Sequence, residues 1–369
     1  MNNFFFIFLF IYAIFGCLLI CGFYFQFKKE KKNFTSSTTL VNTNQITVII
    51  PFRNEKNNLP NLIESIQKQT LLPFHFLFID DHSTDDGIEI IRKLEKSIQY
   101  SVLKLPAGIQ GKKAAIRYGI ENSASDYILT LDADVKFEST YFSSLEKLSK
   151  KDLLILPVIM EGKNWKEKLF ELDYAFSNSL NTAISGLKRP FIASGANLLF
   201  RKDVFLTFDS FEKHKHIFSG DDVFMLRDFQ KNNCEIELIT ELSNAVYTNS
   251  PHTIKSFFEQ RLRWIGKGRI VNDMLSNSLT FIVASIHLLF FIGTIYLATK
   301  HEFVFLIVFF ILKCIIEMMI NYPYFSKIKR MNTWTFIPIS SFLYPCYIAS
   351  LLFLSATFKI KWKGRNIQG

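Results

Sequence analysis

Four long apolar segments constrain this chain more than any other feature, because backbone inside lipid must satisfy its hydrogen bonds within the protein. One of them, Phe4–Phe27, is almost unbroken, and the others lie at about Leu279–Thr299, Phe303–Tyr322 and Thr335–Phe358. Each is near or above the roughly 20 residues that a helix needs to span a bilayer. Forty phenylalanines and a mean hydropathy of +0.16 also argue against an ordinary soluble enzyme. The sequence therefore predicts membrane helices on both sides of a polar middle region.

Flanking charges predict the orientation of the first segment. Phe4–Phe27 lacks a basic n-region, exceeds a signal-peptide core in length and has no clear small-residue cleavage site, which favours a retained anchor. Lys28, Lys29, Lys31 and Lys32 follow immediately. By the positive-inside rule, the region after them lies in the cytoplasm and the N-terminus lies outside.

The same rule gives conflicting results for the last apolar segment. Basic residues at 327–330 follow the middle C-terminal segment, as expected for a return to the cytoplasm. A third full crossing would leave the basic tail, 359–369, outside. Because Pro338 and Pro345 interrupt the last segment, we expect a re-entrant or interfacial element there. A reporter fused to the C-terminus that proves periplasmic would contradict this expectation.

Two opposite charges lie inside the middle C-terminal segment. Lys313 and Glu317 are four residues apart, which places them on one face of a helix. Charges at membrane depth face the interior of a bundle and pair with each other. We therefore expect a structural ion pair on the protein-facing side.

Cysteine usage and net charge exclude several classes of protein. The five cysteines form no CxxC pair and no Cys/His cluster, so neither a disulfide framework nor a zinc site is indicated. That pattern suits a reducing cytoplasm. The net charge of +10 lies partly in clusters beside the apolar segments, which favour anionic lipid head groups. No basic, aromatic-laced stripe accompanies the charge, so nucleic acid is not an expected partner.

Strands and helices alternate in the polar middle, after a Ser/Thr/Asn-rich linker. The predicted strands are Ile46–Pro51, Phe76–Ile79, Ser101–Leu105 and Ile128–Leu131, and the intervening helices are centred on Leu59–Ile66, Ile88–Lys96 and Gly111–Asn122. This alternation predicts an α/β fold with a mostly parallel, Rossmann-like sheet and helices on both faces. GxGxxG and GxxxxGK[ST] are absent, so the usual dinucleotide and P-loop interpretations lack their motifs.

Two carboxylates, Asp132 and Asp134, directly follow the fourth strand. The carboxyl ends of parallel strands face the ligand crevice, so both would project to where a substrate lies. Neighbouring carboxylates favour a hard cation such as Mg²⁺ or Mn²⁺, shared with substrate phosphates. An Asp-rich turn is the alternative, since the motif alone is short and common.

Polar residues also follow the first two strands at the same edge. Arg53 and Glu55 follow the first strand, and Asp80 and Asp81 follow the second. His82 is expected to be a polar turn residue, because no cluster of partners surrounds it.

The alternation loosens after Leu153. A long amphipathic helix is predicted at Trp165–Leu187, and the small residues of Ala193–Asn197 allow backbone to approach a ligand closely. Asp222 lies at the start of a helix, where capping alone could explain an acidic residue. A second amphipathic helix, Ile254–Ile265, directly precedes the membrane segments.

Taken in order, six stretches between about Ile46 and Gly268 resemble the motifs of inverting glycosyltransferase family 2. They are Ile50-Pro51-Phe52-Arg53-Asn54-Glu55, Ile79-Asp80-Asp81-His82-Ser83-Thr84-Asp85, Gly111-Lys112, Asp132-Ala133-Asp134, Gly220-Asp221-Asp222 and Gln260…Arg263-Trp264. Each motif is weak alone, but six in order are specific. The resemblance implies a GT-A fold that binds a nucleoside-diphosphate sugar, most often a UDP-sugar.

For the donor, the resemblance implies that Asp81 or its neighbour Asp80 hydrogen-bonds the uracil. The 51–55 edge and Lys112 would lie nearby, the edge contributing Pro51, Arg53 and Glu55. Asp132 and Asp134 would contact the ribose and bind a divalent cation, Mg²⁺ or Mn²⁺, on the diphosphate.

For the chemistry, the resemblance implies that Asp222 is the general base. Gln260, Arg263 and Trp264 look like the QxxRW element, which holds the diphosphate and the acceptor end at the membrane surface. Plain interfacial anchoring is the alternative for Arg263 and Trp264.

The expected domains are an anchor at 1–27, a linker at 28–45, a cytoplasmic GT-A domain at 46–270, a membrane region at 279–358 and a basic tail at 359–369. The expected location is a bacterial inner (cell) membrane. The tail resembles that of ceramide-glucosyltransferase-like members, which transfer one sugar to a lipid. A processive polysaccharide synthase is the alternative within the family. A non-catalytic nucleotide-sugar-binding or export subunit is the alternative from another class.

Overall fold

The chain packs as two compact units in a computed structural model that describes residues 2–36, 39–209, 211, 220–271, 273–357, 361–362 and 365–366. The membrane unit comprises Met1–Phe27, Gly162–Phe191 and Ser250–Asn366. The sheet unit comprises Lys28–Glu161 and Ile192–Asn249. Much of the tail predicted at 359–369 lies outside the described residues, and the predicted domain bounds stay a prediction.

Twelve strands are present in the described residues. In chain order they are β1 Ile46–Phe52, β2 His75–Asp80, β3 Tyr100–Lys104, β4 Tyr127–Leu131, β5 Val135–Phe137, β6 Leu153–Ile155, β7 Val158–Glu161, β8 Asn197–Arg201, β9 Ile236–Leu238, β10 Val246–Asn249, β11 Lys361–Trp362 and β12 Arg365–Asn366. Seven of them form one sheet in the order β3-β2-β1-β4-β8-β6-β9. A second sheet has the order β5-β10-β7, and β11 pairs with β12.

The first half of the large sheet is parallel, which confirms the predicted fold class. β1 pairs in parallel with both β2 and β4, and β2 pairs in parallel with β3. Every residue of β1 and β4 is buried, as expected for strands covered on both faces. β8 was not predicted and runs antiparallel to β4 and β6. The carboxyl ends of β1, β2 and β4 therefore share one edge.

Helices of the sheet unit flank this sheet. They are α2 Leu59–Gln67, α3 Gly87–Ile91, α4 Lys112–Glu121, α5 Tyr141–Leu145, α7 Lys202–Phe208 and α8 Asp221–Lys231. A buried apolar core joins α4 and α8 to the sheet through Ile116, Phe229, Ile128 and Phe200. This core holds the starts of α4 and α8 in fixed positions.

The remaining helices belong to the membrane unit, except that α1 continues beyond Phe27. They are α1 Asn2–Ser36, α6 Trp165–Leu187, α9 Ile254–Val271, α10 Met274–Thr299, α11 Phe303–Lys327, α12 Met331–Trp334 and α13 Ile337–Thr357. Four of them, α1, α10, α11 and α13, are long and apolar enough to cross a membrane. α6 has the predicted bounds, because Asn164 caps its start through Glu167 N–H.

α13 continues through Pro345, so the interruption expected from the sequence is not seen in this helix. Pro338 lies in the first turn, where a missing N–H breaks no intrahelical bond. A continuous helix of 19 residues within α13 meets the length and hydropathy of a membrane span. The side on which the chain ends stays a prediction.

The predicted ion pair inside the membrane unit is confirmed. Lys313 Nζ lies 2.5 Å from Glu317 Oε1, and the Lys313 side chain is fully buried. The Tyr12 hydroxyl donates to the same carboxylate at 3.2 Å, and Ser341 Oγ also donates to it. This cluster joins α1, α11 and α13, and its hydrogen bonds compensate for the burial of the carboxylate.

α1 and α6 approach each other through glycines. A Cβ on Gly186 would overlap the Gly22 carbonyl oxygen and lie 2.7 Å from Gln26 N. A Cβ on Gly22 would overlap the Ala183 carbonyl oxygen. The obstacles are backbone atoms, which cannot rotate away as a side chain does. Small residues therefore permit this helix contact, as is common in membranes.

Gly186→Ala is accordingly expected to lower the free energy of unfolding by about 2–3 kcal/mol, because the two helices must move apart. The midpoint of thermal unfolding in detergent measures the effect. Gly268→Ala on α9 is the matched control, since a Cβ there meets nothing within 4 Å. Equal midpoints for the two variants would contradict the close contact.

Candidate active site

Asp80 and Asp81 lie at the carboxyl end of β2 and have different surroundings. Asp80 Oδ1 accepts a hydrogen bond from Ser83 N at 2.8 Å and so shapes the following turn. Asp81 N donates to Phe52 O at 2.9 Å, which fixes Asp81 beside the end of β1. Arg53 Nη1 lies 4.0 Å from Asp81 Oδ2. Both carboxylates are almost fully buried within the protein.

The pKa of Asp81 is raised above its ordinary value. Burial is the main cause, and the Gly111 N–H and the Arg53 charge oppose it. Gly111 directly precedes α4, and its φ of 101° is in the region that favours glycine. The turn at Gly111 therefore brings the start of α4 to the end of β2.

The loops after β1 and β2 are held together by their own side chains. Asn54 and His82 both have positive φ, 54° and 57°. Asn54 Oδ1 accepts from Thr84 N at 2.8 Å, which joins the two loops. His82 Nε2 lies 2.9 Å from Ile109 O, so His82 is a turn residue, as the sequence predicts.

Asp132 and Asp134 lie just beyond the last residue of β4. Lys112 Nζ, in the first turn of α4, is 2.6 Å from Asp132 Oδ1. The two side chains are only 23% and 31% exposed. The structure thus brings together Lys112 and Asp132, which the sequence places twenty residues apart.

Asp134 carries the most perturbed titration in this region. Its pKa is raised to about 6 by the surrounding protein, which limits hydration, and by the negative charges of Asp132 and Glu55. The side chain is nevertheless exposed, so solvent and ligands can reach it. Solvent at this exposed side chain limits the effect of desolvation, whereas the repulsion from the neighbouring carboxylates remains. The attraction of Lys112 offsets only part of that repulsion.

A divalent cation fits this pair of carboxylates. The described residues contain no group of three or more His, Cys, Asp or Glu side chains placed to hold a metal. Mg²⁺ and related ions, however, usually take one or two carboxylates and complete their shell with substrate phosphates and water. Asp134 and Asp132 supply that number of ligands, and a cation would relieve the repulsion that raises the Asp134 pKa.

Asp222 lies in the first turn of α8, after Gly220 with a φ of 97°. Its Oδ1 accepts from Val223 N at 2.8 Å, and its Oδ2 accepts from Gly195 N at 3.4 Å. Gly195 belongs to the small-residue stretch Ala193–Asn197 that the sequence singles out. The carboxylate is partly exposed, so both oxygens are oriented while the group remains reachable.

The start of α8 is also tied to α4. Lys113 Nζ lies 5.0 Å from the centroid of the Phe224 ring, within the range of a cation–π interaction. Lys112 and Lys113 are neighbours on α4 but contact different groups. Lys112 pairs with the Asp132 carboxylate, and Lys113 contacts the ring of Phe224, two residues after Asp222.

Gln260, Arg263 and Trp264 lie on α9, which belongs to the membrane unit. Their spacing of three and four residues places them on one face of the helix. All three side chains are partly exposed. Pro51 and Glu55, by contrast, lie in the sheet unit at the end of β1 and in the loop after it.

Thr248 is a site residue that the sequence did not identify. It lies on β10 directly opposite Val135 of β5, and its hydroxyl lies 3.5 Å from Asp134 Oδ2. β10 pairs with strands far away in the sequence, and a threonine before a polar loop carries no local indication of that pairing. Register alone puts Thr248 next to Asp134.

This arrangement defines a GT-A type domain, in which a mostly parallel sheet carries an Asp-x-Asp pair at its carboxyl edge. Residues 47–207, somewhat less than half of the chain, match the family model described as glycosyl transferase family 2, so this region is similar to that family.

Named relatives and one solved structure agree with the family. An undecaprenyl-phosphate 4-deoxy-4-formamido-L-arabinose transferase of Pseudomonas syringae pv. syringae is 28% identical over 137 residues, covering 34% of this chain and 41% of that protein. A 4,4'-diaponeurosporenoate glycosyltransferase of Staphylococcus haemolyticus is 30% identical over 133 residues, covering 36% of this chain and 35% of that protein. The match therefore spans about two fifths or less of these relatives' length.

The solved structure of the mannosyltransferase PcManGT from Pyrobaculum calidifontis, in complex with GDP-Man and Mn²⁺, shares the fold. The match covers 90% of this chain and 99% of the mannosyltransferase chain at 12% identity, with a TM-score of 0.51. At that identity the likeness concerns the fold alone.

Proposed function

We propose that this protein is a membrane glycosyltransferase that moves one sugar, with inversion, from a UDP-sugar to a lipid acceptor at the cytoplasmic face. The observation that carries the proposal is that the carboxylates of the sheet unit form two separate sets. Asp132 and Asp134 lie together at the carboxyl edge beside Lys112, whereas Asp222 is separately oriented on α8. A displacement at a sugar carbon needs one set of groups for the leaving group and one for the nucleophile.

The donor base would be recognised by Asp81. Asp80 accepts a backbone hydrogen bond within its own turn, whereas Asp81 accepts one from Gly111 N–H, directly before Lys112, so Asp81 is the better candidate for the uracil. Arg53 beside Asp81, together with Pro51 and Glu55, would line the same part of the cleft.

The cation would be held by Asp134 and Asp132. When bound, it offsets the negative charge that develops on the leaving diphosphate. Lys112, paired with Asp132, limits the negative charge of the carboxylate pair and would add a positive group near the phosphates. Thr248 would keep the Asp134 carboxylate in place.

Asp222 would act as the general base. The acceptor hydroxyl attacks the anomeric carbon, its proton passes to the Asp222 carboxylate, and the bond to the diphosphate oxygen breaks. Gly195 N–H and Val223 N–H orient the carboxylate before the acceptor arrives. A single displacement of this kind would convert an α-linked donor into a β-linked product.

Gln260, Arg263 and Trp264 would hold the donor diphosphate and the acceptor end. This assignment rests on the QxxRW resemblance and on their shared face of α9. Arg263 is the natural cation for a phosphate, because a guanidinium can bind two oxygens at once.

A lipid acceptor is favoured by the membrane unit. Four helices of the described residues are long and apolar enough to cross a membrane, and the names of two relatives refer to undecaprenyl phosphate and to 4,4'-diaponeurosporenoate. A processive synthase would need to thread a polymer across the bilayer, for which four spans are few. A non-catalytic subunit is disfavoured, because the base and the Asp-x-Asp pair are both retained.

The test is the product formed by purified protein in lipid, offered a panel of UDP-sugars with Mg²⁺ or Mn²⁺ and a membrane-lipid extract. A small organic-soluble product carrying one sugar is expected. A water-soluble product of many sugars would instead establish a polysaccharide synthase. Absence of transfer from every donor, with intact nucleotide binding, would favour a non-catalytic subunit.

A further inference from the structure

Lys113 lies in the first turn of α4, with only 7% of its surface exposed. Its neighbour Lys112, which pairs with Asp132, keeps 23% of its side chain exposed. Two effects disfavour a buried ammonium in this position, namely the loss of its hydration and the positive end of the helix dipole. Long lysine side chains usually keep their charged end in water. Residues that break such a local rule are expected at functional sites, so the contacts of Lys113 indicate what it does.

Two aromatic rings face the Lys113 ammonium. Lys113 Nζ lies 5.0 Å from the centroid of Phe224 and 5.5 Å from that of Phe211, both within the range of a cation–π interaction. The guanidinium carbon of Arg117, one turn further along α4, lies 5.0 Å from the centroid of the same Phe211 ring. The attraction between a cation and a ring face is directional and is stronger when the cation is desolvated. The Lys113 ammonium therefore restricts where the Phe224 ring can lie.

The Phe224 ring also contacts the turn that leads into α8. A Cβ on Gly220 would lie 3.0 Å from Phe224 Cε2, so the ring packs directly against the backbone of Gly220. Phe224 N donates to Gly220 O at 2.9 Å, which closes the first turn of α8 around the same two residues. A displacement of the Phe224 ring would therefore displace the turn at Gly220 as well.

Asp222 lies inside this turn and depends on it for the direction of its carboxylate. Its Oδ1 accepts from the N–H of the next residue, and its hydrogen bond from Gly195 N is long, at 3.4 Å, and hence weak. Both bonds keep their geometry only while the backbone of the first turn of α8 stays in place. Contacts thus run from Lys113 through Phe224 and Gly220 to Asp222, all of them within the sheet unit.

We propose that Lys113 is a positioning residue, which acts through Phe224 to hold the Asp222 carboxylate in the direction needed to receive the acceptor proton. The proposal rests on the proposed function, which assigns Asp222 as the general base. A base must lie within hydrogen-bond reach of the proton that it removes, so small shifts of its backbone matter. Lys112 and Lys113 then serve the two sides of the reaction from one helix start, Lys112 at the carboxylate pair and Lys113 at the base.

Lys113→Met tests the role of the charge. Methionine is unbranched and adaptable, so it can fill the same space without an ammonium. We expect kcat to fall about 10- to 100-fold, since a displacement of about 1 Å can cost a rate of that order. KM for the UDP-sugar and the midpoint of thermal unfolding should stay close to those of the wild type. An unchanged kcat would overturn the proposal, and so would a loss that appears in KM or in the midpoint alone.

The assay uses the full-length protein in lipid nanodiscs, the most active UDP-sugar of the panel with Mn²⁺, and the membrane-lipid extract as acceptor. Lys150→Met is the matched control, because Lys150 Nζ lies 5.9 Å from the ring centroid of Tyr127, the first residue of β4. This contact is of the same type but lies at the end of β4 opposite to Asp132. Its kcat should equal that of the wild type. Equal losses of kcat in the two lysine variants would overturn the specific role of Lys113.

Phe224→Leu, alone and combined with Lys113→Met, tests whether the ammonium acts through the ring. Leucine keeps an apolar side chain near Gly220 but removes the aromatic face. If the two residues act as one unit, the double variant should lose no more kcat than the more affected single variant. Losses that multiply in the double variant would mean that the two residues act independently, which would overturn the proposed route through Phe224.

Asp222→Asn separates this proposal from the proposed function. If Asp222→Asn loses transfer and Lys113→Met retains it, the positioning role fails and the general base stands. If Asp222→Asn transfers sugar as fast as the wild type, or if the wild type transfers none from any UDP-sugar, the proposed function fails and the role of Lys113 fails with it.

Discussion

Replacing Asp222 by asparagine is expected to lower the rate of sugar transfer about 10²–10⁴-fold, the usual contribution of a general base. Asparagine has nearly the same shape and can still accept a hydrogen bond from Val223 N, so the start of α8 should persist. It cannot take the proton of the acceptor hydroxyl. Binding of the UDP-sugar should therefore remain within about twofold of the wild type, well below the tenfold change that 1.4 kcal/mol would produce.

The rate is measured under single-turnover conditions, and donor binding is measured separately by titration calorimetry. Asp126→Asn is a suitable control, because Asp126 is an exposed carboxylate of the same unit whose side chain meets Gln45 Nε2 at 3.5 Å. Turnover of Asp222→Asn equal to that of the wild type would exclude Asp222 as the base.

Replacing Asp134 by asparagine is expected to have two opposite effects. Metal-dependent binding of the UDP-sugar should be lost, because a neutral amide is a poor ligand for a hard cation. The metal-free protein should become more stable at pH 8, because the repulsion that Asp132 and Glu55 exert on the carboxylate disappears. A residue that costs stability in the absence of ligand is typical of a functional site.

The pH dependence of the metal-free wild type follows from the same repulsion. The pKa of Asp134 in the folded protein is about 6, above its ordinary value of 3.8, so the folded state binds this proton more tightly than the unfolded state does. The stabilisation from this proton is complete below about pH 3.8 and is lost as the pH rises towards 6. Metal binding has the opposite trend, since the proton competes with the cation below pH 6.

Thermal unfolding of both proteins between pH 5 and pH 8, with and without Mn²⁺, measures these effects. The advantage of Asp134→Asn in metal-free buffer should shrink as the pH falls to 5, and Mn²⁺ plus UDP should stabilise only the wild type. Asp126→Asn again serves as the control for a change of charge. Stabilisation of Asp134→Asn by Mn²⁺ and UDP to the same extent as the wild type would rule out Asp134 as a metal ligand.

The elements that depend on local sequence are the ones that could be predicted. Strands β1 to β4 lie within about one residue of their predicted bounds, because continuous apolar runs are bounded by polar turns. α6 agrees at both ends. α3 is shorter than expected and ends at Ile91, because the next backbone hydrogen bonds, from Lys93 N to Ile90 O and from Leu94 N to Ile91 O, reach only three residues back. Apolar spacing thus predicts which side chains of this segment are buried, Leu94 included, but it does not predict where the helical hydrogen bonds end.

Contacts between distant residues could not be predicted in the same way. Nothing in the sequence indicates that β8 enters the sheet antiparallel, or that Thr248 faces Asp134 across two short strands. The pairing of Arg261 with Asp173 links residues 88 positions apart, and either residue alone resembles an ordinary charge on an amphipathic helix. The pairing of Lys313 with Glu317 was predictable, because the two residues are about one helical turn apart in the sequence.

The location of Lys313 and Glu317 on a single helix has a consequence for membrane insertion. Lys313 and Glu317 both belong to α11, so the helix can enter the bilayer as an electrically neutral unit before any other helix meets it. Tyr12 is synthesised earlier and Ser341 later, and their hydroxyls can join the carboxylate only during assembly of the bundle. Insertion of α11 therefore need not wait for α13 to leave the ribosome. The charges of Lys313 and Glu317 offset each other within one helix, and the neighbouring helices add their hydrogen bonds afterwards.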